Sequence, residues 1–453
     1  MKKLLSLVLT LAIVLSSAAA LADLGSATVV DANEKRNIQI HPAGENTVEP
    51  GISPTTGRDL DELAEQAEDG FLGMAITGEY YPIMVQHNGY HSALDAAAPW
   101  YGSYADIVYE LPKAWVGNTR MAFIYNDFLP PLAGGSRSTR VGYISVRQEW
   151  NCPYFFAGKQ QDSFGGKTDT NVDNLIEKLG LITDVNTSAA PETVTIFNGL
   201  DSKKFKEGAY RWTGGNSEYN FLWSLPYMYT NILQGETPRQ FKNHTFKFAD
   251  DLPETGDTAE TVYVLYNKNS TKGGDANDED PTDDSRIYYY NSMYQYDEDE
   301  NAYIRYAITD MKNPENNPKA FVEKIIAPGT EAKVIPPQKS NDTQTIEIQS
   351  APGDVISFAN IIVQAIDDKW PGGEMPYPIL IGSGNADYFM GGKHLKGVWK
   401  RDTIEDRTVF YGEDGEEIAL QPGRTIIIMM DYGTTVKNRS TEKQEQVREV
   451  RYE

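Results

Sequence analysis

Two stretches decide how this chain folds: Ala105-Asp-Ile-Val-Tyr-Glu110 (ADIVYE) and, after it, Gly134-Gly-Ser-Arg-Ser-Thr-Arg140 (GGSRSTR). The first alternates. Ala105, Ile107 and Tyr109 share one face, Asp106 and Glu110 the other, which is the period of a half-buried strand. The second is a glycine turn loaded with hydroxyls and guanidiniums, and Ser138 to Trp150 beyond it reads as a helix. Tyr154 to Ala157 returns to a strand. Strand, turn, helix and strand in that order predict a βαβ unit and a partly parallel sheet. The expected fold class is therefore α/β to α+β: an N-terminal mixed-sheet domain with that unit, then a mainly antiparallel β domain.

Outward from this core, YYPIMVQ (80–86) and RMAFIY (120–125) read as further strands. DLDELAEQAE (59–68) is a short helix candidate, and NVDNLIEKL (171–179) a second, with Gly180 as its stop. Beyond about residue 245, strand-like runs at 261–266, 286–290, 302–307, 345–348, 361–365 and 425–430 are separated by loops. The expected organisation is a signal peptide (1–22), a linker with a short helix (23–70), an α/β domain (71–240), a β-rich domain (245–435) and a charged tail (436–453). The tail has no apolar face and reads as disordered.

At 453 residues two domains are the natural expectation. Lys2 and Lys3, the apolar run Leu4 to Leu15 and Ala20-Leu-Ala22 have the layout of a cleavable signal peptide. The expected location is thus outside the membrane, secreted or at the extracellular face of the envelope. No later apolar run is long enough to span a membrane. A net charge of −24 repels polyanions and no basic run offsets it, so nucleic acid is excluded as a partner. Cys152 is the single cysteine, so no internal disulfide can form, which suits a bacterial exported chain. Among the large apolar residues of WNCPYFF it reads as a small buried hydrophobe, and it lies far from any lipid-attachment position.

Several chemistries lack their residues. DANDEDPTDD (275–284) starts like a calcium loop, but Asp280 stands where glycine is required and Arg286 where the bidentate glutamate belongs. His87 and His91 are separated by Asn88-Gly89-Tyr90, which breaks any helix aligning them for zinc. No metal site and no cofactor is expected. A nucleophile elbow is absent, and GSGNAD (382–387) lacks the third glycine of a dinucleotide loop and reads as a turn.

What remains is a local excess of cations. Lys113, Arg120, Arg137, Arg140 and Arg147 face only Asp127 in the same stretch. A glycine turn feeding a helix start supplies unpaired N–H groups and a positive dipole end. Arginine adds fork-shaped donors that match carboxylate or phosphate. Arg120, Arg137, Ser138 and Arg140 are the candidate ligand-binding residues. Asp106 and Glu110 are expected beside them, either pinning the turn to the sheet or holding the guanidiniums toward a ligand.

At these residues the chain resembles the YerB-like family of exported bacterial proteins, built from two domains of unknown function. SPTTG (53–57), ADIVYE, TR (119–120), GSRSTR and FFAG (155–158) come in that family's order. NIIVQ (360–364), GSGNADYFMGGK (382–393), VWKRD (398–402) and DGEEIALQPGRT (414–425) resemble its second domain. The resemblance brings Arg211 and Asn220 into the candidate site, with Tyr219 standing where relatives carry a histidine. It also implies that a lipidated cysteine, frequent in relatives, is missing here.

Two functions follow as expectations. The first is binding of an anionic envelope ligand, such as peptidoglycan or an anionic wall polymer, or of an envelope protein, with Tyr125, Tyr219 and Tyr227 as stacking faces. The second is a glycan hydrolase using Asp106 and Glu110. Four residues apart on one strand face, these carboxyls would stand about 13–14 Å apart, beyond either glycosidase spacing.

Overall fold

The computed structural model describes residues 26–89, 98–113, 119–161, 170–183, 190–200, 206–215, 219–235, 241–266, 291–308, 319–337, 343–369, 376–433, 435–437 and 445–453. The signal segment, His91, the acidic stretch 275–284 and the strand expected at 286–290 lie outside them.

A mixed sheet dominates; among the described residues it has eleven strands. The first half of the chain contributes β1 (Ile83–Asn88), β2 (Ile107–Pro112), β3 (Thr119–Tyr125), β4 (Tyr154–Phe156) and β5 (Ile196–Asn198). The second half contributes β11 (Asn360–Ala365), β12 (Gly382–Met390), β13 (Lys393–Arg401) and β14 (Thr425–Met430). Their order is β13-β12-β11-β14-β2-β3-β1-β4-β5. The two halves of the chain meet where β14 runs parallel to β2, from Thr425 opposite Ile107 to Ile428 opposite Glu110. The boundary expected near residue 240 is therefore not a boundary in the sheet.

The segments β6 (Ala209–Trp212) and β7 (Phe221–Trp223) pair in a smaller sheet. A third sheet holds β8 (Thr261–Leu265), β9 (Ser292–Asp297), β10 (Ala302–Ala307) and β15 (Glu449–Tyr452). Here the tail departs from expectation. Residues 449–452 pair with β8, and Val450 and Tyr452 are buried. Val450 and Tyr452 alternate with Glu449 and Arg451, a strand period hidden by the charged residues around it. Fully buried Arg448 is held by Asp368 at 3.1 Å and by Asp431. GSGNAD is also not a turn: it opens β12, where Gly384 sits 2.7 Å, measured from an added Cβ, from the Ala365 carbonyl.

Helix α1 (Leu60–Ala64) is shorter than expected, α2 (Val141–Trp150) begins three residues late, and α3 (Val172–Lys178) lies as predicted. Arg140 is extended (φ −133°) and serves as the N-cap of α2 without a side-chain cap bond. β4 runs parallel to both β1 and β5, whereas β3 is antiparallel to β1.

Strand alternation sorts the core. Ile107, Tyr109, Leu111, Ala122 and Ile124 pack with Val141, Ile144 and Trp150 of α2. Val108, Met121 and Phe123 face the other way, toward Val264, Tyr294 and Val450 of the third sheet. Cys152 is buried on the helix side, as its apolar context predicts.

Candidate functional site

The same alternation separates the residues that the sequence appeared to join. Asp106 and Glu110 project to the face turned from α2, while Arg120 pairs with Leu111 on the helix face and Arg140 caps the helix itself. The expected contact between these carboxylates and the arginines of the turn does not form.

Glu110 lies fully buried between the sheets, accepting from Arg305 Nη2 at 2.8 Å and Thr119 Oγ1 at 2.7 Å. Arg305 also donates to Ser292 and lies over the rings of Tyr294 and Phe321. Burial pushes the Glu110 carboxyl up, with Arg305 and Thr119 opposing. Glu110 is sealed, so it can neither shape an anion site nor act on a glycan.

Asp106 ends in a hydroxyl cradle made by SPTTG. Its Oδ2 accepts from Thr55 Oγ1 at 2.7 Å and from the backbone N–H groups of Asn126 and Asp127 at 3.1 and 3.0 Å. Asp127 accepts from Ser53 and Thr56, each at 2.6 Å, and from Asn126 at 3.1 Å. Burial raises both carboxyls, and the charge of Asp127 lifts Asp106 well above the usual range. Ser53, Thr55, Thr56 and Asp127 were not among the predicted site residues. Their signal was the hydroxyl density of SPTTG, which has no reason to be buried unless it meets acceptors.

The arginine turn is built as follows. A Cβ at Gly135 would lie 1.9 Å from the Tyr219 carbonyl oxygen, so only glycine lets the turn approach β7 this closely. Arg137 then extends over the Tyr219 ring, 5.4 Å from its centroid. The next residue, Asn220, accepts from Arg211 Nη1 at 2.8 Å, so Arg211 and Asn220 do join the edge of this site. Ser138 Oγ donates to the Ala157 carbonyl at 3.4 Å. Arg140 Nη1 donates to the carbonyls of Ser138 and Thr139 at 3.1 and 2.8 Å. Burial together with Arg137 depresses the Arg140 guanidinium to about 10. Arg120 donates to Asn88 at 2.6 Å, and its carbonyl takes the Tyr143 hydroxyl.

Around this turn the buried donors Arg140 Nε, Gln160 Nε2 and Asn88 Nδ2 have no acceptor among the described residues. Arg140 and Gln160 line the same small cleft with Tyr143 and Leu111. Donors without acceptors beside a cationic cap are what a carboxylate or phosphate would satisfy. Arg147 is not part of this cluster; it bonds to the Cys152 carbonyl and Gln148. Tyr125 is buried in the core and offers no stacking face, and Tyr227 bonds to Glu207.

Residues 79–207 match the N-terminal domain, and residues 285–427 the C-terminal domain, of the family described as protein of unknown function (DUF3048). The chain belongs to the YerB-like family. Its fold is similar to the crystal structure of the YerB protein from Bacillus subtilis, at 16% identity and a TM-score of 0.51. That match covers 84% of this chain and 96% of the other. No curated protein matches the sequence. The YerB-like architecture is thus a largely β, α+β fold. Among the described residues no helix is long and apolar enough to cross a membrane.

Proposed function

We propose that this YerB-like chain is an exported protein of the cell envelope that binds a carboxylate- or phosphate-bearing envelope ligand at the arginine turn preceding α2. The observation that carries the reading is Arg140: it caps the helix, stands beside Arg137, and forms no ion pair among the described residues. Holding a half-buried cation without a counter-charge is costly, and an anion here would offset that cost while meeting the donor of Gln160, which lines the same cleft. Export rests on the N-terminal pattern of Lys2, Lys3 and the apolar run that follows.

The test is sedimentation of residues 23–453 with purified bacterial cell walls, beside an Arg137→Ala/Arg140→Ala variant whose circular dichroism matches wild type. Wall-dependent pelleting that weakens with salt and is lost in the variant is the expected result. Equal pelleting of both proteins would overturn the site, and no pelleting of the wild type would remove wall polymers as the ligand.

A further inference from the structure

Away from the arginine turn, a cavity of about 480 Å³ opens at the start of β2, between the two halves of the chain. That volume lies in the ~300–1,000 Å³ range of small-molecule sites. Its wall includes Thr56, Asp106 and Asp127 from the first half and Tyr306, Asp354 and Arg424 from the second. The SPTTG, ADIVYE and PGRT stretches, far apart in sequence, converge on it.

Asp106 is 2% exposed and lines this cavity. Its Oδ2 takes all three of its hydrogen bonds, and Oδ1 accepts none among the described residues. A buried carboxyl on a cavity wall, with one oxygen saturated and the other unused by the protein, is arranged for a ligand donor or acceptor. Charge then narrows the ligand. Asp297, Glu300 and Asp354 make the acidic wall, against the two guanidiniums of Arg58 and Arg424, while the raised Asp106 carboxyl adds a hydrogen-bonding group beside them. Arg424 is tied to the carbonyls of Ala105 and Gly102 and lies over the Phe358 ring. The rings of Tyr104 and Phe128, centroids 5.7 Å apart, and the hydroxyls of Ser103 and Ser357 supply an apolar face with polar neighbours.

We propose that this cavity is a second ligand site, selective for a sugar carrying a protonated amine. The amine is held by the acidic wall, and the ring lies against Tyr104 and Phe128. This site is separate from the arginine turn, and neither proposal depends on the other.

Calorimetric titration of glucosamine, glucose and putrescine into the wild-type chain tests it. Glucosamine is expected to bind saturably and at least about tenfold more tightly than either of the others, because only it carries both features. Asp106→Asn and Asp354→Asn are expected to weaken it at least about fivefold, while Arg137→Ala/Arg140→Ala leaves it unchanged. Asp354 is exposed, so its variant decides the matter if Asp106→Asn does not fold. Absence of glucosamine binding, equal affinity for glucose or putrescine, or wild-type affinity in a folded Asp354→Asn protein would each overturn the proposal.

Discussion

Arg305 donates to Glu110 across 2.8 Å in the interior between the main sheet and the third sheet, with both side chains closed to solvent. The pair joins residues from opposite halves of the chain and sets how β2 lies over β10. Removing one partner leaves a buried charge unpaired, so Arg305→Leu or Glu110→Leu should each cost about 3–5 kcal/mol. The double variant should be less destabilised than the sum of the two. Urea unfolding of the four proteins measures this, and additive losses would mean the ion pair contributes nothing beyond its separate side chains.

Glu323 gives a pH dependence of opposite sign to the usual carboxylate. Burial raises it from 4.5 to about 7, although it accepts from the Ser103 N–H at 2.7 Å and the Asp354 N–H at 3.2 Å. The folded state thus favours the protonated form. Its contribution is full below pH 4.5 and is lost as pH climbs through about 7. Between those values wild type should lose on the order of 3 kcal/mol more than Glu323→Gln. Denaturation midpoints of the two proteins compared across that window test it, and parallel pH profiles would contradict it.

Glu149 behaves in the conventional direction. Although burial opposes it, Arg401 at 3.1 Å, His244 at 2.9 Å and the Thr408 N–H at 2.7 Å hold its carboxyl down to about 2. Its contribution is present above 4.5 and is lost as pH falls toward 2. Glu149→Gln should therefore be less stable than wild type by a few kcal/mol at neutral pH, with the gap closing in acid. Acid unfolding curves followed by tryptophan fluorescence provide the comparison.

The arginine turn should show a conflict between stability and binding. Arg140→Gln keeps a donor for the Ser138 and Thr139 carbonyls and removes the repulsion from Arg137. Without ligand, this variant should be as stable as wild type or more stable by up to about 1 kcal/mol, while losing wall binding. A thermal melt showing clear destabilisation would indicate that Arg140 serves the fold.

Truncation at residue 447 removes buried Arg448, Val450 and Tyr452 along with the pairing of β15 to β8. The shortened chain should lose cooperative unfolding or fail to accumulate in soluble form, because an interior strand and the counter-charge of Asp368 and Asp431 go together.

Alternation made β2 and β3 legible, and the change of period after GGSR announced α2. The same alternation, carried one step further, separates Asp106 and Glu110 from Arg140, since opposite strand faces cannot share a cleft. Proximity in sequence suggested a contact that side-chain direction forbids. The true partner of Glu110 is Arg305, a residue that nothing local connects to it. The tail hides its strand for a related reason: only two apolar side chains alternate in residues 449–452, and their burial depends on β8 being already in place. SPTTG carries no local sign of its role, because its hydroxyls meet their carboxyl acceptors, Asp106 and Asp127, only in the folded chain.

The placement of β14 between β11 and β2 also fixes an order of events. A ribosome must make residue 430 before the largest sheet can be continuous, and residue 452 before the third sheet can close. Until then β2 presents an open edge, with the Glu110 carboxyl awaiting an arginine made much later. Contacts so distant along the chain make folding slow, and β2 keeps that unpaired edge until β14 docks.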